Sequence, residues 1–297
     1  MKKIIMALAS ATALFSCGPK YTAPVAEPGS EIDYSMSFLN SVVAVEDKNI
    51  NLAVAPYRAG VALSMLAEGA EGQTKEEFNH ALNDCLFKSE DLGDNDIVTV
   101  DSVNSLWIDD DFSVRNRYVS LMQKDFDALV TTLSFGDPAT VKAINNWCSE
   151  HTNGKINEII DELSPNDVMV LVNALYFKAP WLDPFEPGMT STARFNGSLG
   201  VSDVKMMSRK AYMNYAEYKG CQLVELPYEG GRYSMYVLLP PQDIDINELI
   251  SYLSKDAYET AIKSLQSTEV LLRMPKAKVE TSLLLNASLQ KMGIRTA

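Results

Sequence analysis

The residue types that perform covalent chemistry are thinly spread along this chain. There are two histidines, His80 and His151, and neither accompanies the Gly-x-Ser-x-Gly elbow that would set a nucleophile beside a base. Both fall in segments of helical spacing, where a histidine faces water or caps a helix end. Gly154-Lys155 lacks the glycine-rich loop of a phosphate cradle. Asp91-Leu-Gly-Asp-Asn-Asp96 and Asp109-Asp-Asp111 are dense in carboxylates. They lack the spacing and closing glutamate of an EF-hand, so they read as solvated turns. Cys85, Cys148 and Cys221 form no Cys-x-x-Cys pair and are odd in number, which suggests neither a zinc site nor a thioredoxin motif. They read as small, mostly buried apolar residues. Asn196-Gly-Ser198 and Asn286-Ala-Ser288 match the glycosylation acceptor and are read as silent. No catalytic, metal or cofactor set emerges, so the chain is expected not to be an enzyme.

Cys17 is the exception, because its surroundings fit a modification. Lys2 and Lys3 precede an apolar run of 12 residues from Ile4 to Phe15. That is too short to span a bilayer and suits a signal sequence. The run ends in Leu14-Phe15-Ser16-Cys17, which resembles a bacterial lipobox, with Phe15 larger than is usual there. Residues 1–16 are therefore expected to be a lipoprotein signal peptide, with Cys17 becoming the lipidated N-terminus. Two attached lipid signals anchor firmly where one acyl chain binds only marginally. Residues 17–31 include the Pro-containing stretch Tyr21 to Ser30 and read as a tether. The expected location is the cell envelope, periplasmic or surface-exposed, with the membrane a partner only through the anchor.

The chain has 297 residues, 46% of them hydrophobic, enough for one large core or two small ones. Its net charge is −13, and the part from Cys17 onward carries 24 basic against 39 acidic residues, or −15. Such a balance argues against nucleic acid and polyanionic polysaccharides as partners.

The elements that would position any site follow from local patterning. Ile32 to Val43, Val61 to Glu68, a helix opened by the capping-box pattern Thr74-Lys-Glu-Glu77, Val114 to Phe126 and Pro138 to His151 read as helices. Gly69 and Asn153-Gly154 supply stops. Asn51 to Pro56, Ile97 to Ile108 and Leu171 to Phe177 read as strands. Three more follow, Ala211 to Tyr218, Cys221 to Tyr228 and Tyr233 to Leu239, the last two joined by Glu229-Gly230-Gly231. Ile246 to Gln266 reads as one helix, Val270 to Glu280 as a strand pair broken by Pro275, and Ser282 to Met292 as a last helix. Helices first and antiparallel strands later indicate a large α+β domain over residues 32–297.

Six motifs then carry a resemblance. Asn51-Leu-Ala-Val-Ala-Pro56, Ala67-Glu-Gly-Ala-Glu-Gly-Gln-Thr74 and Ile144-Asn-Asn-Trp-Cys-Ser-Glu-His-Thr-Asn-Gly-Lys-Ile156 come first. The stretch Leu171 to Phe185, Val224-Glu-Leu-Pro-Tyr-Glu-Gly-Gly231 with Ser234-Met-Tyr-Val-Leu-Leu-Pro240, and Met274-Pro-Lys-Ala-Lys278 follow in order. This chain resembles the serpins along nearly its whole length after the tether. The resemblance implies helices packed on a large mixed sheet, with smaller antiparallel sheets. It also implies suicide inhibition of serine proteases, or of cysteine proteases: a strained loop is cleaved, acylates the protease and inserts as a strand into the main sheet. Ala55, Pro56, Arg58 and Asn173 match the family's shutter, and Trp181 its breach, where the loop first inserts.

Departures from the family pattern qualify what is implied. The shutter usually has serines where this chain has Ala55 and Arg58, and Arg58 is expected to swing outward or to pair with a carboxylate, since a buried lone charge is costly. Asn83 to Asp96 is too short for the family's heparin-binding helix, so no heparin-type activator is expected. The sequence stops at Ala297, before the family's reactive-centre loop and final strands, and is expected to be an incomplete record of a longer protein. The reactive site is then not present in these residues. The alternative is a non-inhibitory serpin-fold envelope lipoprotein with a binding or structural role.

Overall fold

The computed structural model describes residues 3–10, 16–17, 30–89, 97–164, 166–197, 199–242, 244–279, 281 and 283–296. Helix α1 (Glu31–Val43) starts at Ser30, whose hydroxyl accepts from the Asp33 N–H at 3.2 Å, a capping contact that satisfies one of the helix's orphan donors. Helix α2 (Pro56–Gly69) begins five residues before the sequence predicts, and the strand expected at Asn51 to Pro56 does not form. Proline at the first helical position loses nothing by lacking an N–H, and its fixed φ suits the helix. The Ala53 N–H, which a ladder would have used, instead donates to Thr281 Oγ1 at 2.9 Å. From Arg58 to Met65 every residue of α2 is buried, so it is a core helix with no solvent stripe.

Thr74–Glu77 does not cap a helix. Helix α3 (Gly72–Ala81) has already begun, with Glu71 at its cap and no side-chain bond there. Glu77 instead accepts from the backbone N–H groups of Arg295 at 2.7 Å and Thr296 at 2.8 Å, fastening the last described residues to α3. Those two bonds hold its carboxyl down at about 2, from 4.5. A carboxylate lowered by folding stabilises above its unfolded value and ceases to as pH falls toward the folded one. The thermal midpoint of the native chain should therefore exceed that of Glu77→Gln at neutral pH. The gap should close between pH 4.5 and about 2, and a gap independent of pH in a melting series would refute the assignment.

Two sheets carry the rest. In the first, β3 (Thr99–Asp109) pairs antiparallel with β5 (Asp167–Lys178) and parallel with β4 (Ala128–Leu133). Along the other edge of β5, the backbone of β1 (Lys3–Ser10) runs parallel, from Lys3 opposite Asp167 to Ser10 opposite Leu175. The second sheet is antiparallel, in the order β10 (Gln266–Pro275), β7 (Gly200–Tyr218), β8 (Cys221–Pro227), β9 (Ser234–Leu239). Strand β6 (Ser191–Gly197) hairpins onto β7, and β2 (Ser16–Cys17) meets β9 at Met235 and Ser234. Helices α4 (Asn116–Asp125), α5 (Pro138–His151), α6 (Ile246–Ser251), α7 (Lys255–Lys263) and α8 (Asn286–Lys291) complete the described fold. The sequence predicts neither β4 nor β6. Its single helix from Ile246 is two, because Ser254 caps α7 by accepting from Ala257 N–H, and its broken strand pair is one strand ending at Pro275.

Strand alternation assigns the core. On β3 and β5, Leu106, Ile108, Met169 and Leu171 face the large cluster around α2, while Trp107, Val170, Val172 and Ala174 face the cluster under α5. Further along the same inner face, Val100 and Phe177 join a third cluster with Tyr228 and Tyr233.

Candidate functional site

Between the first and third clusters the inner face turns polar. Asn104 of β3 lies directly opposite Asn173 of β5, and both are buried. Asn173 Nδ2 donates to Asn104 Oδ1 at 2.5 Å, and Asn104 Nδ2 donates to the Phe126 carbonyl at 2.7 Å. One pair thus ties β3 to β5 and both to the end of α4. Among the described residues no donor reaches Asn173 Oδ1, so a buried acceptor stands open at the strand that borders β1. The sequence reading named Asn173 and missed Asn104. The available signal was an asparagine inside the otherwise strand-like run Val103 to Ile108.

Helix α2 packs on β5 and carries Ala55, Pro56 and Arg58, the other residues for which the resemblance implies a shutter role. Ala55 is its cap, Pro56 opens its first turn, and both are partly buried. Arg58 does not swing outward. It is 2% exposed, with its guanidinium carbon 5.1 Å from the centre of the Tyr57 ring. The correction has a physical cause: Arg58 falls on the stretch of α2 that is buried on every side, and a planar guanidinium can lie over an aromatic face. Arg58→Ser removes most of that buried volume and should lower stability by about 2–4 kcal/mol, as large-to-small core changes do. Arg58→Met keeps the volume and should stay within about 1.5 kcal/mol of the parent. Denaturant unfolding of both variants checks this, and equal losses would mean that charge rather than bulk decides.

Trp181 lies away from this seam, three residues beyond β5. Its ring stacks on Tyr228 at 4.3 Å and 13°, and its backbone bridges the same residue. Leu182 N–H to Pro227 carbonyl and Glu229 N–H to Pro180 carbonyl, both 2.9 Å, lock the Lys-Ala-Pro-Trp corner onto the turn after β8. Trp181 also packs among Met213, Val224 and Leu226, so it joins the end of the first sheet to the inner face of the second.

Helix α5 covers the opposite face of β3 and β5. Ile144 and Cys148 are fully buried there, and Trp147 meets Trp107 edge-on at 6.1 Å. Asn145 Oδ1 accepts from Ile159 and Ile160 N–H, strapping the following segment to the helix, and Asn153 Nδ2 donates to Asp101 Oδ2 at 2.8 Å. Burial pushes the Cys148 thiol up to about 11, which makes it a poor nucleophile. Cys148 and Cys221 are buried and Cys85 partly so, all three as thiols. Asp109 accepts from Phe135 and Asp111 N–H, so this acidic turn stitches two loops together. Both histidines close helices, and His151 stacks on Trp147. Asp91 to Asp96 lies outside the described residues. For Ser16 and Cys17 the backbone alone is described, and no helix among the described residues is long and apolar enough to cross a membrane.

These features define a class: an α+β body in which one buried helix supports a mixed sheet, corner-locked to a second, antiparallel sheet. The chain belongs to the serpin family, the serine protease inhibitors, whose family model matches residues 30–297. It is 31% identical over 84% of its length to an uncharacterized serpin-like protein of Thermococcus kodakarensis, covering 62% of that protein. It is 30% identical to Iripin-2 of Ixodes ricinus over 88% of this chain and 70% of that one. Intracellular coagulation inhibitor 2 of Tachypleus tridentatus is 31% identical, with 83% and 65% covered. The chain thus spans roughly two thirds of the length of these relatives. Among solved structures, the thermophilic serpin tengpin in its native state superimposes with a TM-score of 0.83 at 26% identity, covering 94% of this chain and 77% of tengpin.

Proposed function

We propose that this chain is the body of a suicide inhibitor of serine proteases, or of cysteine proteases, held at the cell envelope by a lipid on Cys17. The observation that carries the reading is the outer edge of β5. Residues 3–10, part of the expected signal peptide, pair along it, so cleavage before Cys17 would vacate that edge, and among the described residues no donor reaches the buried Asn173 Oδ1 beside it. An inserting strand would gain a row of main-chain hydrogen bonds there, the strand-addition chemistry for which serpins are a standard example. In this reading the Asn104–Asn173 pair and α2 form the shutter, and Trp181 marks the breach. The protease supplies all the catalytic groups, so the chain is not an enzyme. The buried Arg58 favours one rival, a non-inhibitory envelope protein of the same fold, because a bulky cation fills a position where the family's pattern has a small hydroxyl.

The test uses the whole reading frame, expressed without residues 1–16 and incubated with trypsin, elastase and papain. A covalent complex surviving denaturing electrophoresis with any of them is the expected result. Cleavage of the inhibitor by all three without such a complex would establish the rival. Metabolic labelling with an alkyne fatty acid should mark the full-length protein, and Cys17→Ser should abolish the label.

A further inference from the structure

The hairpin of β6 and β7 carries large apolar side chains at its tip. Strand β10 pairs with β7 only as far as Met206, and Lys276 N–H donates one further bond on that edge, to the Lys205 carbonyl at 2.7 Å. From there the two strands run on alone, from Thr192 opposite Lys205 to Gly197 opposite Gly200. No described residue between 191 and 205 is buried. A two-stranded ribbon is only marginally stable in water by itself. Alternation divides its side chains between two faces. One face carries Phe195 and Val204, the other Val201, Arg194, Asp203 and Lys205. Phe195 (41% exposed) and Val201 (59%) therefore point to opposite sides, and Leu199 (83%) stands in the turn between the strands. The end of the ribbon is thus apolar on both faces. The first charges, Arg194 and Asp203, lie opposite each other three rungs back from Gly197 and Gly200. At the rise of a strand that is about 10 Å.

We propose that this tip dips into the surface of a phospholipid bilayer. Resting on the lipid anchor proposed above, the bilayer is the one that holds Cys17. Twelve residues, Gly18 to Gly29, separate Cys17 from Ser30, where the body begins. Fully extended, that connection spans about 45 Å, so an anchored body stays beside its membrane. The anchor makes a second, weak contact intramolecular, and even a small apolar tip then has a high effective concentration of lipid to meet. A flat protein face would cover only one side of the ribbon, whereas immersion covers both. Interfacial segments bury their apolar side chains about 5–10 Å deep. Phe195, Leu199 and Val201 lie within that depth of the tip, and Arg194 and Asp203 begin at its limit. Charge agrees with this placing. Residues 191–205 hold two cations against one anion, +1, in a chain whose part from Cys17 onward totals −15. The ribbon can therefore approach lipid headgroups without the repulsion the rest of the surface would meet.

The test supplies the anchor artificially, so that it does not depend on lipidation in the cell. The protein of the whole reading frame, with a histidine tag in place of residues 1–16, is held on phosphatidylcholine vesicles by a nickel-chelating lipid. Brominated phosphatidylcholine should quench the emission of Leu199→Trp more strongly than that of the parent, whose own tryptophans set the background. Amides from 194 to 203 should exchange more slowly on the vesicles than in solution. The triple change Phe195→Ser, Leu199→Ser, Val201→Ser should abolish that protection. Absence of the extra quenching, or protection that survives the triple change, would overturn the proposal. So would protection that arises without vesicles and grows with protein concentration, which would make a second copy of the chain the occupant. A melting curve equal to the parent's confirms the fold of the triple variant. If that variant melts early, Leu199→Ser alone, in the turn, should lower the protection in the same direction. Fatty-acid labelling of Cys17 in the cell is scored separately. Its failure with the tip still quenched on vesicles would sink the anchoring reading alone.

Discussion

Asn104→Ala should cost the fold about 2–6 kcal/mol, because it leaves two buried polar groups without partners at about 1–3 kcal/mol each. One is the Phe126 carbonyl, and the other is Asn173 Nδ2, now facing a methyl group. Asn173→Ala should cost less, about 1–3 kcal/mol, since it empties only Asn104 Oδ1. The double variant should cost less than the two single losses together, by about 0.5–3 kcal/mol, the coupling expected of groups in one hydrogen-bonded unit. Urea unfolding of the four proteins measures this cycle. Strict additivity would mean that the two asparagines merely sit opposite each other. Hydrogen exchange adds a functional readout: in Asn104→Ala, amides of β3 and β5 near the pair should exchange faster than those near Leu106 and Leu171. In the proposed mechanism this pair is the latch on the strand beside which another must fit, so loosening it should ease that opening.

The fold was legible wherever one physical signal dominated. Helix α5 matches its predicted limits, Pro138 to His151, because Asp137 and Pro138 mark its start and Asn153-Gly154, both at positive φ, mark its end. The hairpin from β8 to β9 turns at Gly230 and Gly231, both at positive φ, as the two glycines indicate. Strand β5 was predicted from its continuous apolar run, which is what burial of both faces requires. The failures arose where tertiary contacts overrode local pattern. Asn51–Ala55 has the composition of a strand, yet it pairs with no strand among the described residues, and Thr281 takes the Ala53 amide. Thr74–Glu77 has the form of a capping box, yet Glu77 is used by the chain 218 residues on. Strand β4 is missed because Ala-Leu-Val-Thr-Thr-Leu is short and half-exposed, and becomes a strand only beside β3.

The candidate site was legible by type and only partly by geometry. Motif resemblance located Pro56, Arg58, Asn173 and Trp181, but spacing along the chain could not show that Asn173 meets a residue 69 positions earlier. Nor could it give the direction of Arg58. A surface arginine and a core arginine have the same letter, and the difference lies in the neighbours of α2, which come from α1, α3, α4, β1 and β5.

Leu171→Ala is expected to lower global stability by about 2–5 kcal/mol, the range for removing a fully buried leucine whose surroundings relax only in part. Leu171 is 0% exposed, lies opposite Leu106 and belongs to the cluster that joins α2 to the first sheet. Its neighbours are anchored on two sheet strands and a core helix, so the cavity should collapse little, and the loss should fall toward the upper part of that range. Ile144→Ala provides the contrast. Ile144 is equally buried, but it belongs to α5, which rests on one face of the sheet through a smaller cluster. That loss should therefore show first as faster hydrogen exchange confined to 138–151, as for a unit that opens by itself. Leu171→Ala should instead raise exchange across β3, β5 and α2 together. If Leu171→Ala proved as local as Ile144→Ala, the large cluster would not be the element on which the whole body depends. If both were global, α5 could not lift from the sheet independently, and an inserting strand would have to disrupt the core to enter.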